Sequence, residues 1–147
     1  MTSDAVSNAM STRQSRTDVA LILWNPDVIQ LVSLVLRQRN LKSSGLEPWE
    51  GVDRIEDSIV CWSPRVVVFD LDPPYDRSAA IALHLLEKFP DCSFVMTCAD
   101  SSAAVNKAPW LAFHPIFQKP YEMDAMANTV RSMVRESVHL VMAAMTR

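Results

Sequence analysis

The sequence predicts a single α/β domain, doubly wound around a five-stranded parallel sheet. Short apolar runs alternate about five times with segments of helical apolar spacing, and no internal repeat interrupts the alternation. Each crossover is long enough for a right-handed parallel connection. A length of 147 residues buries one core of ordinary size but not two domains and a linker.

Val19 to Leu23 is an apolar run closed by Trp24, Asn25 and Pro26, which suits a first strand buried on both faces. Val28, Leu31, Val32, Val35 and Leu36 then recur at helical spacing, with Asn25 or Asp27 as the cap and Arg37 and Arg39 suited to the negative end. Lys42 to Pro48 is turn-rich and holds a short, weak second strand. Val52, Ile55, Ile59 and Val60 mark a second helical face, ended by Pro64.

Val66 to Phe69 is the strongest strand signal, a β-branched and aromatic run stopping at Asp70, and belongs mid-sheet. Pro73 and Pro74 force a loop before a third helix carrying Ala79, Ile81, Ala82, Leu85 and Leu86. Ser93 to Thr97 is the fourth strand, Ser101 to Lys107 a short helix, and Pro115 to Gln118 a last strand bounded by Lys119 and Pro120. Met123, Met126, Val130, Met133, Val134, Val138, Val141 and Met145 give a long final helix.

Composition narrows the function classes. With 49% hydrophobic and 21% charged residues the chain has the balance of a soluble globular protein. A net charge of -3 supplies no field to gather nucleic acid or anionic lipid. Cys61, Cys92 and Cys98 are odd in number and lack metal-ligand spacing, so reduced thiols in a cytoplasm are expected. Residues 1–17 are rich in Ser, Thr, Asn and Ala and read as a disordered tail ahead of a domain over 18–147. Arg131, Arg135 and Glu136 interrupt the apolar final helix, which excludes it as a membrane span.

In doubly wound sheets, reactive groups collect beyond the carboxyl ends of the strands. Asp70, Thr97 and Lys119 close the third, fourth and fifth strands, so an acid, a hydroxyl and an amine converge on one sheet edge. The segments VVVFDLDPP, FVMT and FQKPY that carry them resemble the phosphoacceptor, hydroxyl and lysine segments of response-regulator receiver domains of two-component signalling, and the similarity spans roughly 18–133.

The resemblance implies a flavodoxin-like fold with strand order 2-1-3-4-5, Asp70 as phosphoacceptor, Thr97 and Lys119 as contacts to the phosphoryl oxygens, and a cis bond before Pro120. It also implies a histidine kinase or other signalling protein as partner. The chemistry is coherent, since a carboxylate attacks phosphorus only when the charges around it are neutralised.

Two positions depart from the family. Leu23 and Trp24 stand where receivers carry an acidic pair for Mg²⁺, and neither binds a hard cation. Asn25 and Asp72 carry oxygens nearby, so a metal, if bound at all, would use Asp70 with one of them. Ile116 replaces the aromatic residue that usually precedes the lysine by three positions, so a phosphate-driven switch needs another route. A degenerate receiver is the resulting expectation, with Asp70 paired directly to Lys119. Such a pair attracts by about 4 kcal/mol at ~4 Å and an effective dielectric of ~20, before desolvation.

An alternative resemblance is to haloacid-dehalogenase-type phosphatases, in which Asp70 would be the nucleophile and Asp72 the acid/base. No acidic pair follows the lysine to complete that pattern, and Pro73 follows Asp72. His84, His114 and His139 are scattered and read as surface or core residues. Trp24, Trp49, Trp62 and Trp110 read as packing residues, with Trp24 covering the site, and Cys98 reads as a buried small residue. The final helix outruns what one sheet covers, so Val138, Val141 and Met145 are expected to meet a second copy or another partner.

Overall fold

The computed structural model describes residues 16–145. The strands are β1 (Val19–Ile22), β2 (Ser43–Leu46), β3 (Val66–Leu71), β4 (Ser93–Cys98) and β5 (Ile116–Gln118). They form one sheet in the order β2-β1-β3-β4-β5, every pair parallel. The helices are α1 (Pro26–Arg37), α2 (Val52–Trp62), α3 (Tyr75–Lys88), α4 (Ser101–Lys107) and α5 (Met123–Met145), with single 3₁₀ turns over Pro48–Glu50 and Pro109–Phe113. This is the flavodoxin-like order that the resemblance implies.

The apolar runs form strands because both faces of the sheet are covered. On one face Ala20, Ile22, Val67, Phe69, Phe94 and Met96 pack with α2, α3 and α4. On the other, Val19, Leu21, Leu23, Val66, Val68 and Val95 pack with Val32 and Leu36 of α1 and Met126, Ala127 and Val130 of α5. Strand side chains alternate with a period of two, so Asp70 follows Val66 and Val68 on the α1/α5 face, and Thr97 follows Val95 there. Leu23 lies on that same face.

Local chemistry sets the element ends. Asn25, rather than Asp27, caps α1 by accepting the Asp27 backbone N–H at 2.9 Å, and Pro26 occupies the first helical position. Asp100 caps α4 by accepting the Ala103 N–H at 3.0 Å. Gly45 lets α1 approach the edge strand, because a Cβ there would meet Ile29 Cγ2 at 2.5 Å.

Four placements differ from expectation. Leu31 and Val60, assigned to buried helical faces, are exposed. Consecutive helical residues lie ~100° apart, so each is turned a quarter-circle or so from its buried neighbour, Val32 or Ile59. Trp49, expected to pack, is mostly exposed on the 3₁₀ turn and donates its indole N–H to Glu47. Thr17, placed in the tail by sequence, is buried, its N–H donating to the Trp62 carbonyl and its hydroxyl bonded to that of Ser44. The rest of the expected tail, 1–15, lies outside the described residues. Among the described residues no helix is long and apolar enough to cross a membrane.

Candidate functional site

The strand register brings the polar trio together. Asp70 of β3 is the direct partner of Thr97 on β4, and β5 pairs beside β4 with Thr97 opposite Phe117. Lys119 follows β5 at once, its backbone N–H donating to the Cys98 carbonyl at 2.8 Å, which fixes the lysine against the end of β4. The bond between Lys119 and Pro120 is cis, as the resemblance implies, and so is that between Pro73 and Pro74.

The Asp70 carboxylate is gripped from three directions. The Thr97 hydroxyl donates to Oδ1 at 2.9 Å. The Lys119 ammonium sits 2.7 Å from Oδ1 and 2.8 Å from Oδ2. The Trp24 backbone N–H approaches Oδ2 at 3.4 Å. The Asp70 side chain is 4% exposed and that of Lys119 44%, so the acid is sealed while the amine remains open to solvent from one side. Charge-assisted bonds of this length satisfy a carboxylate that burial would otherwise penalise.

The surroundings feel that charge. Burial, and then the Asp70 charge, push the Tyr121 phenol up from its ordinary value, while its ring meets Phe117 edge-on with centroids 6.2 Å apart. Cys98 is wholly buried, and its thiol is pushed up mainly by burial, against an opposing hydrogen bond from the Asp100 backbone and with the Asp70 charge adding to the rise. An inert thiol follows, because nucleophilic cysteines need a stabilised thiolate.

A divalent metal does not fit this donor set. Leu23 is buried in the α1/α5 core, and Trp24 offers no oxygen from its side chain. The Asn25 amide oxygen is committed to its cap, and Asp72, half-buried in the loop after β3, takes no part in the bonds to Asp70. Among the described residues no three His, Cys, Asp or Glu side chains gather in a way that could hold a metal. The structure thus brings Asp70, Thr97 and Lys119 together, while Asn25 and Asp72 make none of the hydrogen bonds that join the three. Ile116 packs against the opposite face of the sheet, on the α2–α4 side.

Sequence reasoning missed the Trp24 N–H and Tyr121 as parts of the site. A backbone amide has no sequence signature, since every residue but proline carries one. Tyr121 was legible only as the residue after a lysine–proline pair.

No family model matches the sequence, and neither does any curated protein. Solved structures do match by shape. A two-component transcriptional regulator AraC from Clostridium phytofermentans aligns at TM-score 0.66 and 12% identity, over 87% of this chain and 98% of that one. A response regulator from Thermotoga maritima aligns at TM-score 0.66 and 14% identity, over 82% and 98%. NtrX from Brucella abortus, solved in complex with ADP, aligns at TM-score 0.69 and 17% identity, over 90% of this chain but 29% of its own. The chain has the fold of a response-regulator receiver domain.

Proposed function

We propose that the chain is a degenerate receiver, a two-component signalling module that acts by protein contact, with Asp70 at the phosphoacceptor position. The observation that carries this reading is the pairing of Asp70 with Lys119 at 2.7 and 2.8 Å beside a β1 terminus made of Leu23 and Trp24. In an active receiver a metal and the lysine share the neutralisation of carboxylate and phosphate. Here the lysine alone neutralises the acid, which favours one standing conformation over a phosphate-dependent pair.

The partner is a histidine kinase or another signalling protein in the cytoplasm, and neither nucleic acid nor membrane is a target. The end of α5, with half-buried Val138 and exposed Val141 and Met145, contacts a second copy or that partner. An aspartyl phosphatase is the weaker reading because no acidic pair follows Lys119 to hold the metal that chemistry needs, and Pro73 follows Asp72, its acid/base.

Incubation with acetyl phosphate and Mg²⁺, followed by intact-mass measurement, tests the reading. A mass unchanged under conditions that phosphorylate an active receiver is the expected result. Stoichiometric phosphorylation abolished by Asp70→Asn would restore an ordinary receiver. Turnover of a phosphate ester lost in Asp72→Asn would instead establish the enzyme.

A further inference from the structure

At the pole opposite Asp70, α5 leaves the sheet. Arg65, just before β3, donates to the Ser137 hydroxyl at 3.5 Å, which sets residue 137 level with the amino ends of the strands. The eight residues 138–145 extend beyond that level by roughly 12 Å at 1.5 Å per residue. They read VHLVMAAM, with His139 the one polar residue. Leu140 is 67% exposed and Met145 80%. A helix apolar on every side is a helix meant to be covered.

Beside this overhang runs a groove of about 880 Å³, floored by Ile59 and Val60 of α2, Phe89 and Pro90 after α3, and Leu140 and Val141 of α5 itself. Val60, turned away from the core, is 66% exposed on that floor. The protein therefore carries an apolar ridge beside a groove whose lining mixes apolar and polar side chains.

We propose that the occupant is a second copy of this chain, each copy seating its α5 overhang in the other's groove about a twofold axis. This extends the helix contact proposed above by naming its seat, and it is independent of whether Asp70 is phosphorylated. Three observations favour the copy. The ridge and the groove are adjacent, so one rotation satisfies both at once, as an isologous interface requires. The groove's lining also carries Arg16, Arg65 and Lys88 alongside Asp91 and Glu136, and a patch of both signs complements itself better than it complements a partner of one sign. The exposed side chains of Val60, Leu140, Val141, Met142 and Met145 offer roughly 500 Å² of apolar surface, in the upper part of the ~300–600 Å² range for a monomer's largest patch and more than half of the ~800 Å² per partner in a standard interface.

Sedimentation velocity of the full chain between about 1 and 100 μM tests the proposal, the range in which a micromolar Kd is visible. The wild type is expected to sediment as a dimer. Leu140→Glu on the ridge and Val60→Glu on the floor are each expected to raise the dimer Kd at least 100-fold, with helicity and melting temperature checked to show that the monomer fold survives. A wild type that stays monomeric overturns the proposal, whether its groove is open or filled by residues 1–15. A dimer indifferent to Val60→Glu overturns it too, because the helices would then pair without the groove. Since the phosphorylation assay is run on the monomeric variants as well, failure here leaves the reading of Asp70 standing or falling by itself.

Discussion

Two carboxylates in this molecule are each held by a pair of side chains, and the difference between them is burial. Asp70 accepts from Thr97 and Lys119 at the sheet edge, sealed from water. Glu56 on α2 accepts from His84 and Lys88 of α3, both about half exposed, on the outside of the helical layer. Water screens the second arrangement and leaves it worth little, as for most surface ion pairs. It cannot screen the first. Removing one member there strands another without solvent, so the same three-group pattern becomes a structural necessity and a place where added charge is strongly felt.

The largest effect is therefore expected from Lys119→Met, which keeps the aliphatic stem and deletes the only cation bonded to Asp70 among the described residues. Stability should fall by about 3 kcal/mol, the low end for breaking a buried pair because the ammonium is partly open to solvent. In thermal unfolding that is a drop of roughly 10 °C. Adding Asp70→Asn should recover part of it, since the stranded charge is then gone. If Lys119→Met melts like the wild type, Asp70 is as well solvated as Glu56 and the contrast between the two sites collapses.

Thr97→Val should come next. It is nearly isosteric and removes the hydroxyl that donates to Asp70 Oδ1, at a wholly buried position. A loss of about 1 to 2 kcal/mol in urea unfolding is expected, with an unchanged m-value.

Trp24→Asp sharpens the comparison from the other side by returning an oxygen ligand to the end of β1. The wild type should show no stabilisation by Mg²⁺. The variant should gain about 1.4 kcal/mol at 10 mM Mg²⁺ if the new site binds with a Kd of ~1 mM. Stabilisation of the wild type by Mg²⁺ would mean that other oxygens already serve, and would undo the degenerate reading.

These expectations rest on features of unequal visibility in the sequence. β3 and β4 were legible because both faces are buried, so VVVF and FVM run unbroken until Asp70 and Thr97 interrupt them. That interruption also made the site legible, since a polar residue ending such a run must meet a partner. β2 was barely legible. Its Ser-Ser-Gly-Leu has little apolar content, and it forms a strand because β1 supplies hydrogen-bond partners and Gly45 admits α1. The outward turn of Leu31 and Val60 was missed because periodicity counts apolar residues without saying which arc the sheet can cover. For Val60 the error is informative, as its exposure lies on the groove beside α5.

The smallest effect belongs to Glu56, and its sign follows from linkage. Lys88 foremost, and then His84, hold its carboxyl below the ordinary 4.5. A carboxyl whose folded value is depressed contributes stability that is present above its unfolded value and is lost as pH falls through the folded one. Glu56→Gln should therefore lower the melting temperature slightly at pH 7, with the gap to the wild type closing once the pH drops below 4.5. At high salt the gap should shrink at pH 7 as well, because its donors face solvent. Asp70→Asn should keep its effect under the same salt, since ions do not reach a sealed carboxylate. If salt removes both differences equally, burial is not what separates the two sites.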